Sequence, residues 1–245
     1  MKKSLLIVGL LMAMSLTASA QYKGFAFGFK VGPNFGWTGS TTGAAVNEGA
    51  RTGFDVGVVA EYYFANNYAL VTGVNVGFLG GHYSYTNARL DTIEGYVTFP
   101  VDRYYKSTIY EIPLMLKMVT NDLGNLPLRA YAEVGGGIGL AAKKVKVKDA
   151  IDGAAVADNW TTTNKEFSNL RASLKIGAGA QYSLDESTRL FAGVYFSHDF
   201  INMVNYIKPD YSGNYIDVEG NKIHERDLKL NVLQNRFGIE VGVLF

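Results

Sequence analysis

The chain has 245 residues, 28 glycines, 13% aromatic residues, no cysteine and a formal net charge of +1. Without cysteine there can be no disulfide bond, no thiolate metal site and no cysteine nucleophile. The nearly balanced charge provides no broad basic surface, so we expect no nucleic-acid partner. The aromatic content and a mean hydropathy of +0.04 exclude an intrinsically disordered chain.

Residues 1–20 have the pattern of a cleaved secretory signal peptide. Two lysines precede a short apolar run over 5–16, and the small residues 18–20 match a cleavage site. The run is too short for a permanent membrane-spanning helix, although a retained anchor is the alternative. We therefore expect an exported protein whose mature part, residues 21–245, is a single domain.

Large apolar residues alternate with small or polar residues through the mature chain. From Phe25 to Trp37 the odd positions are apolar, whereas the even positions are mostly Gly, Ala or polar. A period of two predicts a long strand with two unlike faces. Pro33 lacks a backbone donor and predicts a bulge or local break in this strand. The same alternation predicts seven more strands, near residues 52–64, 68–80, 107–119, 128–140, 167–183 and 188–200 and at the end of the chain.

The predicted connections alternate between short and long. Short ones lie at 65–67, 120–127 and 184–187, and long ones lie near 38–51, 81–106, 143–166 and 201–228. An even number of strands with tight turns at one end and long loops at the other is typical of bacterial outer-membrane barrels. The sequence therefore predicts an all-β fold, an eight-stranded antiparallel up-and-down transmembrane β-barrel.

The combined volume of the side chains on each strand face predicts which face points outward. The apolar face carries many Phe, Tyr, Leu and Ile side chains, whereas nearly all strand glycines lie on the other face. The interior of an eight-stranded barrel accommodates only a limited set of side chains. The bulky face must then contact hydrocarbon, which places the protein in the outer membrane of a Gram-negative bacterium. Aromatic residues near strand ends, including Trp37 and Tyr105, are expected to form girdles at the membrane boundaries.

The predicted inner face carries seven positive and six negative residues, and these charges nearly cancel. Buried ions must be paired, because each unpaired ion costs several kcal/mol of desolvation. We therefore expect an ion-paired structural network that fills the lumen. A charged pore or a proton path is the alternative, but eight strands close too tightly for a wide channel. The predicted network consists of Lys30, Asp55, Glu61, Glu111, Lys117, Arg129, Glu133, Arg171, Lys175, Arg189, Asp199, Arg236 and Glu240.

Three segments resemble one family of membrane proteins. Residues 110–117, Tyr-Glu-Ile-Pro-Leu-Met-Leu-Lys, resemble the Glu-Ile-Pro-Leu strand of the PorT-like outer-membrane β-barrel family. Residues 28–35 are similar to its first strand, and the Gly-Ala-Gly segment within 176–180 is similar to a later strand. The resemblance implies an eight-stranded outer-membrane barrel without catalytic residues, and the family's namesake implies an accessory role in type IX protein secretion. Phe245 resembles the C-terminal signal that the barrel-insertion machinery reads.

No residue pattern predicts an active site. Ser197, His198 and Asp199 are adjacent, but neighbours in a strand point to opposite faces and cannot form a catalytic triad. Neither His82 nor His224 stands at a metal-ligand spacing. We therefore expect no enzymatic activity, no cofactor and no metal, and a lipid-modifying barrel enzyme is the weaker alternative.

Two surfaces are candidates for partner binding. Lys144, Lys146 and Lys148 belong to a dense basic run beyond the fifth strand, and we expect them to contact lipopolysaccharide phosphates. A solvated strand extension explains the run equally well. The long loops 81–106 and 201–228 are candidates for a protein or glycan partner, because the second carries Tyr, Asn, Gly and Ser, which make adaptable contacts. These features favour a role in envelope structure or surface interaction.

Overall fold

The first and last long strands of the chain pair with each other and close the sheet. In the computed structural model, Gly28 lies opposite Leu244 and Ser40 opposite Val232. The strands are β1 (Phe25–Ser40), β2 (Ala45–Gly49), β3 (Arg51–Ala65), β4 (Tyr68–Asp91), β5 (Gly95–Val119), β6 (Leu128–Ala141), β7 (Val145–Ile151), β8 (Thr161–Thr163), β9 (Leu170–Ser183), β10 (Arg189–Asp199), β11 (Tyr215–Ile216), β12 (Lys222–Ile223) and β13 (Val232–Leu244).

The structure describes residues 24–40, 45–91, 95–142, 145–151, 160–163, 167–204, 215–216, 222–223 and 230–245. The predicted signal peptide and most of the predicted loop 201–228 lie outside these residues. No helix in the described part of the chain is long and apolar enough to cross a membrane. The barrel wall consists, in order, of β1, β3, β4, β5, β6, β9, β10 and β13, and each strand is antiparallel to its neighbours. The predicted fold class is therefore confirmed.

The two faces of the wall differ as predicted. Ile112 and Ile138 are 60% and 68% exposed on the outer face, whereas Glu61 and Lys117 are each 2% exposed inside. This distribution is the reverse of a water-soluble protein, and hydrocarbon is the solvent that makes the outer face stable. The outer face includes Phe29, Phe35, Phe54, Val74, Phe78, Leu114, Leu140, Leu174, Ile176, Val194, Ile239 and Val241.

Strand β1 passes through Pro33 without a bulge. Val31 lies opposite Val241 and Asn34 opposite Gly238, so the register with β13 is the same on both sides of the proline. The register with β3 is also continuous. Pairing with β13 is interrupted between Val31 and Asn34, where the proline nitrogen has no hydrogen to donate. Of the two predicted alternatives, a bulge or a local break, the structure therefore shows the local break.

The segment predicted as a long loop at 81–106 is mostly a β-hairpin. Strand β4 continues to Asp91 and β5 begins at Gly95, and the two remain paired throughout. This segment is rich in Tyr, Thr and Val, which favour strands. At about 3.3 Å per residue the hairpin extends the wall by roughly 35 Å. Part of the predicted loop 143–166 is also strand, because β7 pairs with β5.

An apolar cluster lies at the extracellular end of the barrel. Tyr105, predicted in an aromatic girdle, instead points inward and is fully buried, and its hydroxyl donates to Gln234. Phe167, predicted within the sixth barrel strand, forms an isolated bridge with Val204, and β9 begins only at Leu170. The cluster consists of Ala45, Tyr83, Tyr105, Val145, Val147, Phe167, Met203, Val204 and Val232.

Short turns and both chain ends meet at the opposite, periplasmic end. In the turn between β9 and β10, the Asp185 carboxylate accepts hydrogen bonds from the amides of Ser187 and Thr188, at 2.8 Å and 2.7 Å. These amides, Thr188 first, lower the pKa of Asp185. The Phe27 amide donates to the Phe245 carbonyl at 3.1 Å, and the Phe245 amide donates back at 2.7 Å. The last residue is therefore part of the closed wall.

Candidate functional site

The middle of the lumen contains a carboxylate held between two lysines. Glu240 Oε2 lies 3.1 Å from Lys30 Nζ and 3.6 Å from Lys175 Nζ, and all three side chains are largely buried. The Lys175 ammonium also lies 4.1 Å from the ring centroid of Tyr195. The Tyr195 hydroxyl donates to Asp55. Side chains from β1, β3, β9, β10 and β13 are therefore joined across the barrel.

A second group of contacts lies toward the periplasmic end. Lys117 Nζ is 2.6 Å from Glu61 Oε1, and the two side chains are only 2% and 3% exposed. The Tyr63 hydroxyl donates to Glu61 Oε2 at 2.7 Å, and Arg189 donates to the Tyr63 oxygen at 3.0 Å. Lys117 also lies 4.1 Å from the Tyr131 ring centroid. Both carboxylate oxygens of Glu61 are therefore satisfied by side-chain donors.

A third group lies toward the extracellular end. Arg236 Nη2 donates to Glu111 Oε2 at 2.6 Å and to Ser197 Oγ at 3.3 Å. Arg171 Nη1 lies 3.4 Å from Asp199 Oδ2. The charged side chains in these two pairs are at most 7% exposed. These pairs lie between the central lysines and the apolar cluster.

Two of the residues predicted for the lumen network, Glu133 and Arg129, do not take part in the ion pairs described above. Glu133 is 8% exposed and has Lys117 as its cross-strand neighbour, but Lys117 is bonded to Glu61. Arg129 lies at the periplasmic mouth, where it pairs with Asp122 of the turn at 3.1 Å. Its side chain is 26% exposed. Arg129 therefore belongs to a rim pair outside the buried network.

Aromatic residues share the lumen with the charges, and the sequence analysis missed them. Tyr131, Phe191 and Tyr195 are 5–7% exposed and point inward. They have the strand parity of the inward charged residues, and this parity was the signal that could have identified them. Inward glycines make room for these rings, since a Cβ on Gly238 would lie 2.4 Å from the Tyr195 ring.

The cavities beside the central charges are small. The cavities beside the central charges measure about 20 Å³ and 10 Å³. A cavity needs roughly 10–15 Å³ to hold one water molecule, so each of these cavities holds one or two waters. Among the described residues, no group of three His, Asp or Glu side chains could hold a metal ion.

The Ser-His-Asp sequence places its members on opposite faces. Ser197 and Asp199 are each 1% exposed inside the barrel and bond to arginines. His198 belongs to the other face, where its Nδ1 lies 2.6 Å from Asn235 Oδ1. The structure therefore shows no contact of the kind that a serine nucleophile and a histidine base require.

A basic cleft opens on the outer surface of the wall, directly above the apolar belt. Strands β3 and β4 pair as far as Phe54 and Phe78 and then separate. Arg51 lies in the gap, with its Cβ 3.4 Å from the position of a Cβ on Gly80. The cleft has a volume of about 440 Å³. We call it the rim cleft, and its lining comprises Arg51, Thr52, Gly53, Phe54, Phe78, Leu79, Gly80, Lys106, Ser107, Thr108 and Lys146.

Basic side chains surround Trp160 at the rim cleft. Lys106 and Lys148 lie 4.6 Å and 5.5 Å from its ring centroid, and Arg51 lies at 6.0 Å. Lys106 and Lys146 are direct cross-strand partners on β5 and β7. Of the predicted basic run, Lys146 lines the rim cleft, Lys148 lies near Trp160, and Lys144 lies outside the described residues.

His82 lies beyond the membrane belt on β4. Its ring stacks on Tyr104, with centroids 3.8 Å apart, and its Nε2 is 3.8 Å from Asp102 Oδ1. Partial burial lowers the pKa of His82, and Asp102 opposes this effect less strongly. His82 is therefore a strand residue stacked on an aromatic ring. His224 lies outside the described residues.

A closed eight-stranded wall with an apolar outer face and an ionic interior defines an integral outer-membrane β-barrel. This chain belongs to the outer membrane protein beta-barrel domain family, whose sequence profile matches residues 17–205. The protein therefore resides in the outer membrane of a Gram-negative bacterium, as predicted. No curated protein sequence matches the chain.

Several solved structures resemble the fold at low sequence identity. Neisserial surface protein A is 14% identical, with 89% of this chain and 97% of that chain covered and a TM-score of 0.39. OprG from Pseudomonas aeruginosa is 14% identical, with coverages of 91% and 97% and a TM-score of 0.43. Ail from Yersinia pestis, in complex with the heparin analogue sucrose octasulfate, is 15% identical, with coverages of 91% and 99% and a TM-score of 0.33. Likenesses of this size say nothing about the ligand or activity of this chain.

Proposed function

We propose that this protein is a non-enzymatic, non-conducting barrel that serves the outer membrane through its extracellular surface. The observation that supports the proposal is the dense packing of paired charges inside the barrel. Three groups of buried ion pairs follow one another along the barrel, and the neighbouring cavities hold only one or two waters. The apolar cluster lies at the extracellular end. A charged pore needs a continuous water path, and we infer from the small cavities beside the ion pairs that the lumen lacks one.

Ion-conductance measurements in planar bilayers test the filled lumen. We expect the purified protein to give no more current than bilayers without protein, while a wide porin gives stable steps in the same bilayers. Stable current steps that change when Lys30 or Lys175 is replaced by Gln would overturn the proposal, because both lysines line the central cavity. Insertion is verified in the same preparation by heat-modifiable migration in detergent gels.

The extracellular extension supports an interaction role. The β4–β5 hairpin projects beyond the belt, and β2 and β7 widen it by pairing along its two edges. Tyr215 and Ile216 of β11 pair in parallel with Tyr96 and Val97 of β5. Residues 215–216, a described part of the predicted segment 201–228, are therefore sheet neighbours of the predicted segment 81–106. We expect them to form a joint binding surface.

A shortened hairpin tests this surface. Ser84 and Asp102 are cross-strand partners, so residues 85–101 can be replaced by Asn-Gly, a sequence suited to a two-residue hairpin turn. We expect the variant to remain heat-modifiable but to fail to restore detergent resistance or surface binding to a deletion strain. Full restoration by the shortened protein would contradict a function located in the hairpin.

The basic run supports contact with outer-leaflet lipid. Lys146 and Lys148 lie on β7 beside the extracellular boundary of the apolar belt, where clustered positive charge attracts anionic head groups. With Lys144 they form the proposed lipopolysaccharide contact. Neutralising the three lysines is expected to weaken lipopolysaccharide binding. Unchanged binding would contradict the proposed contact.

We also propose that Phe245 is the signal for the barrel-insertion machinery. Its side chain is 47% exposed on the outer face, and its backbone is held by Phe27. Phe245→Ser is expected to reduce the assembled protein in cells, while the purified chain still folds into detergent. Equal assembly of the variant in cells would contradict this role.

An accessory role in type IX secretion is the second candidate, and it rests on the Glu-Ile-Pro-Leu resemblance at 111–114. A deletion strain is expected to accumulate unexported cargo if this role is correct. The weaker alternative, a lipid-modifying enzyme, predicts altered lipid A or phospholipid in the same strain by mass spectrometry. An envelope or surface role predicts neither change and instead predicts altered permeability.

A further inference from the structure

We propose that the rim cleft is a binding site for a phosphorylated glycolipid of the outer leaflet, with the phosphate between Arg51, Lys106 and Lys146. The acyl chains of the lipid then lie on Phe54 and Phe78. This assignment rests on the proposed contact between the basic run and lipid, and it gives that contact a defined site. It also adds two cations, Arg51 and Lys106, that are distant in sequence from the run.

The arrangement of charges is unfavourable without an anion. Lys106 and Lys146 are directly opposite each other on neighbouring strands, and both side chains are exposed on the outer face. Like charges in this position destabilise a sheet. Among the described residues that line the cleft, three are cationic and none is a carboxylate. The outward carboxylate of Asp102 lies beside His82 instead. A phosphate between the lysines would replace their repulsion with two charge-assisted hydrogen bonds.

Trp160 holds the cations near one another before any ligand arrives. Its ring contacts Lys106 at 4.6 Å, Lys148 at 5.5 Å and Arg51 at 6.0 Å from the centroid. Such contacts are favourable for ammonium and guanidinium groups near an aromatic face. Less side-chain freedom is then lost on binding, which raises affinity. Tryptophan is also the residue type that prefers the head-group level of a membrane.

The position of the cleft selects a lipid over a soluble anion. Phe54 and Phe78, its lower wall, are cross-strand partners and are 45% and 48% exposed on the lipid-facing surface. The cationic upper wall lies beyond these rings, with Arg51 on β3, Lys106 on β5 and Lys146 on β7. A ligand that satisfies both walls has an anionic head at the boundary and an apolar tail below it. A phosphorylated outer-leaflet glycolipid has this chemistry, whereas free phosphate satisfies only the upper wall.

Native mass spectrometry of the detergent-solubilised protein with bis-phosphorylated lipid A tests the site. Replacing Lys106 or Lys146 by Gln is expected to weaken binding about fivefold each, from roughly 1 kcal/mol per basic residue. Arg129→Gln is the matched control, because it removes one positive charge at the periplasmic mouth and should leave binding unchanged. Phe54→Ala is expected to weaken lipid binding, and dephosphorylated lipid A is expected to bind poorly. Heat-modifiable migration verifies the fold of each variant.

Three outcomes would overturn the proposal. Wild-type protein that binds no lipid A would overturn both the cleft and the proposed lipid contact. Binding that is equal in wild type, Lys106→Gln and Lys146→Gln would overturn the cleft alone. Displacement of the lipid by millimolar inorganic phosphate, together with unchanged binding in Phe54→Ala, would show that the cleft takes a free anion and not a lipid.

Discussion

The pair formed by Arg236 and Glu111 allows a quantitative test of the ionic lumen. Arg236→Met keeps much of the side-chain volume but leaves Glu111 buried without its partner, since the two side chains are 6% and 7% exposed. Removing one member of a buried ion pair costs about 3–5 kcal/mol. At about 1–3 kcal/mol per molar urea, the unfolding midpoint is expected to fall by at least roughly 1 M.

The double variant separates pairing from packing. Arg236→Met combined with Glu111→Leu removes both charges, and apolar replacements of a buried pair are often neutral or stabilising. We therefore expect the second substitution to recover most of the loss. Asp122→Asn provides a control at the rim, because Asp122 is 59% exposed in its pair with Arg129 and exposed pairs contribute only about 0–1 kcal/mol.

Equilibrium unfolding in urea, followed by tryptophan fluorescence in lipid or detergent, measures these effects. A loss below about 1 kcal/mol for Arg236→Met would refute the reasoning, because it would mean that Glu111 finds water or another donor in the lumen. Additive effects of the two substitutions would refute it as well. Either result would also weaken the proposal that the lumen does not conduct ions.

Three further predictions concern single positions. Gly238→Ala should destabilise the barrel by about 1–3 kcal/mol in urea unfolding, since its Cβ meets the Tyr195 ring at 2.4 Å, whereas Gly39→Ala should have little effect. Because folding lowers the pKa of His82, its contribution to stability is present above the unfolded pKa of about 6.5 and is lost as pH falls. His82→Gln should therefore reduce the loss of stability between about pH 7 and pH 5. The Asp185 carboxyl should titrate below its ordinary pKa in NMR spectra, and an ordinary value would contradict the turn geometry.

The eight strands and the faces of their side chains could be predicted from the sequence. Successive side chains in a strand point to opposite faces, so a strand with two unlike faces repeats its residue types every two positions. The volume argument then identified the outer face, and residues such as Ile112 and Ile138 lie on it. The parity of Glu111 and Arg236 placed both inside, but parity gives no height along the axis. That these two form a pair follows from the register of the strands, which one sequence does not provide.

The upper part of the barrel could not be predicted from the same signals. Above the lipid belt, Tyr83 and Tyr105 are buried on the inner face, so the rule that bulky apolar residues point outward no longer holds in segment 81–106. Tyr105 was therefore assigned to a girdle, although it is fully buried. The rim cleft combines Arg51, Lys106 and Trp160 from distant parts of the chain, and only the folded strands bring them together.

Mutual backbone hydrogen bonds between Phe27 and Phe245 have a consequence for biogenesis. The ring of strands closes only when β13 pairs with β1, so a product that ends before β13 retains two unpaired edges. Such edges recruit other chains and promote aggregation. Pairing of β1 with β13 is thus the step that removes both edges, and it requires a strand from each end of the wall.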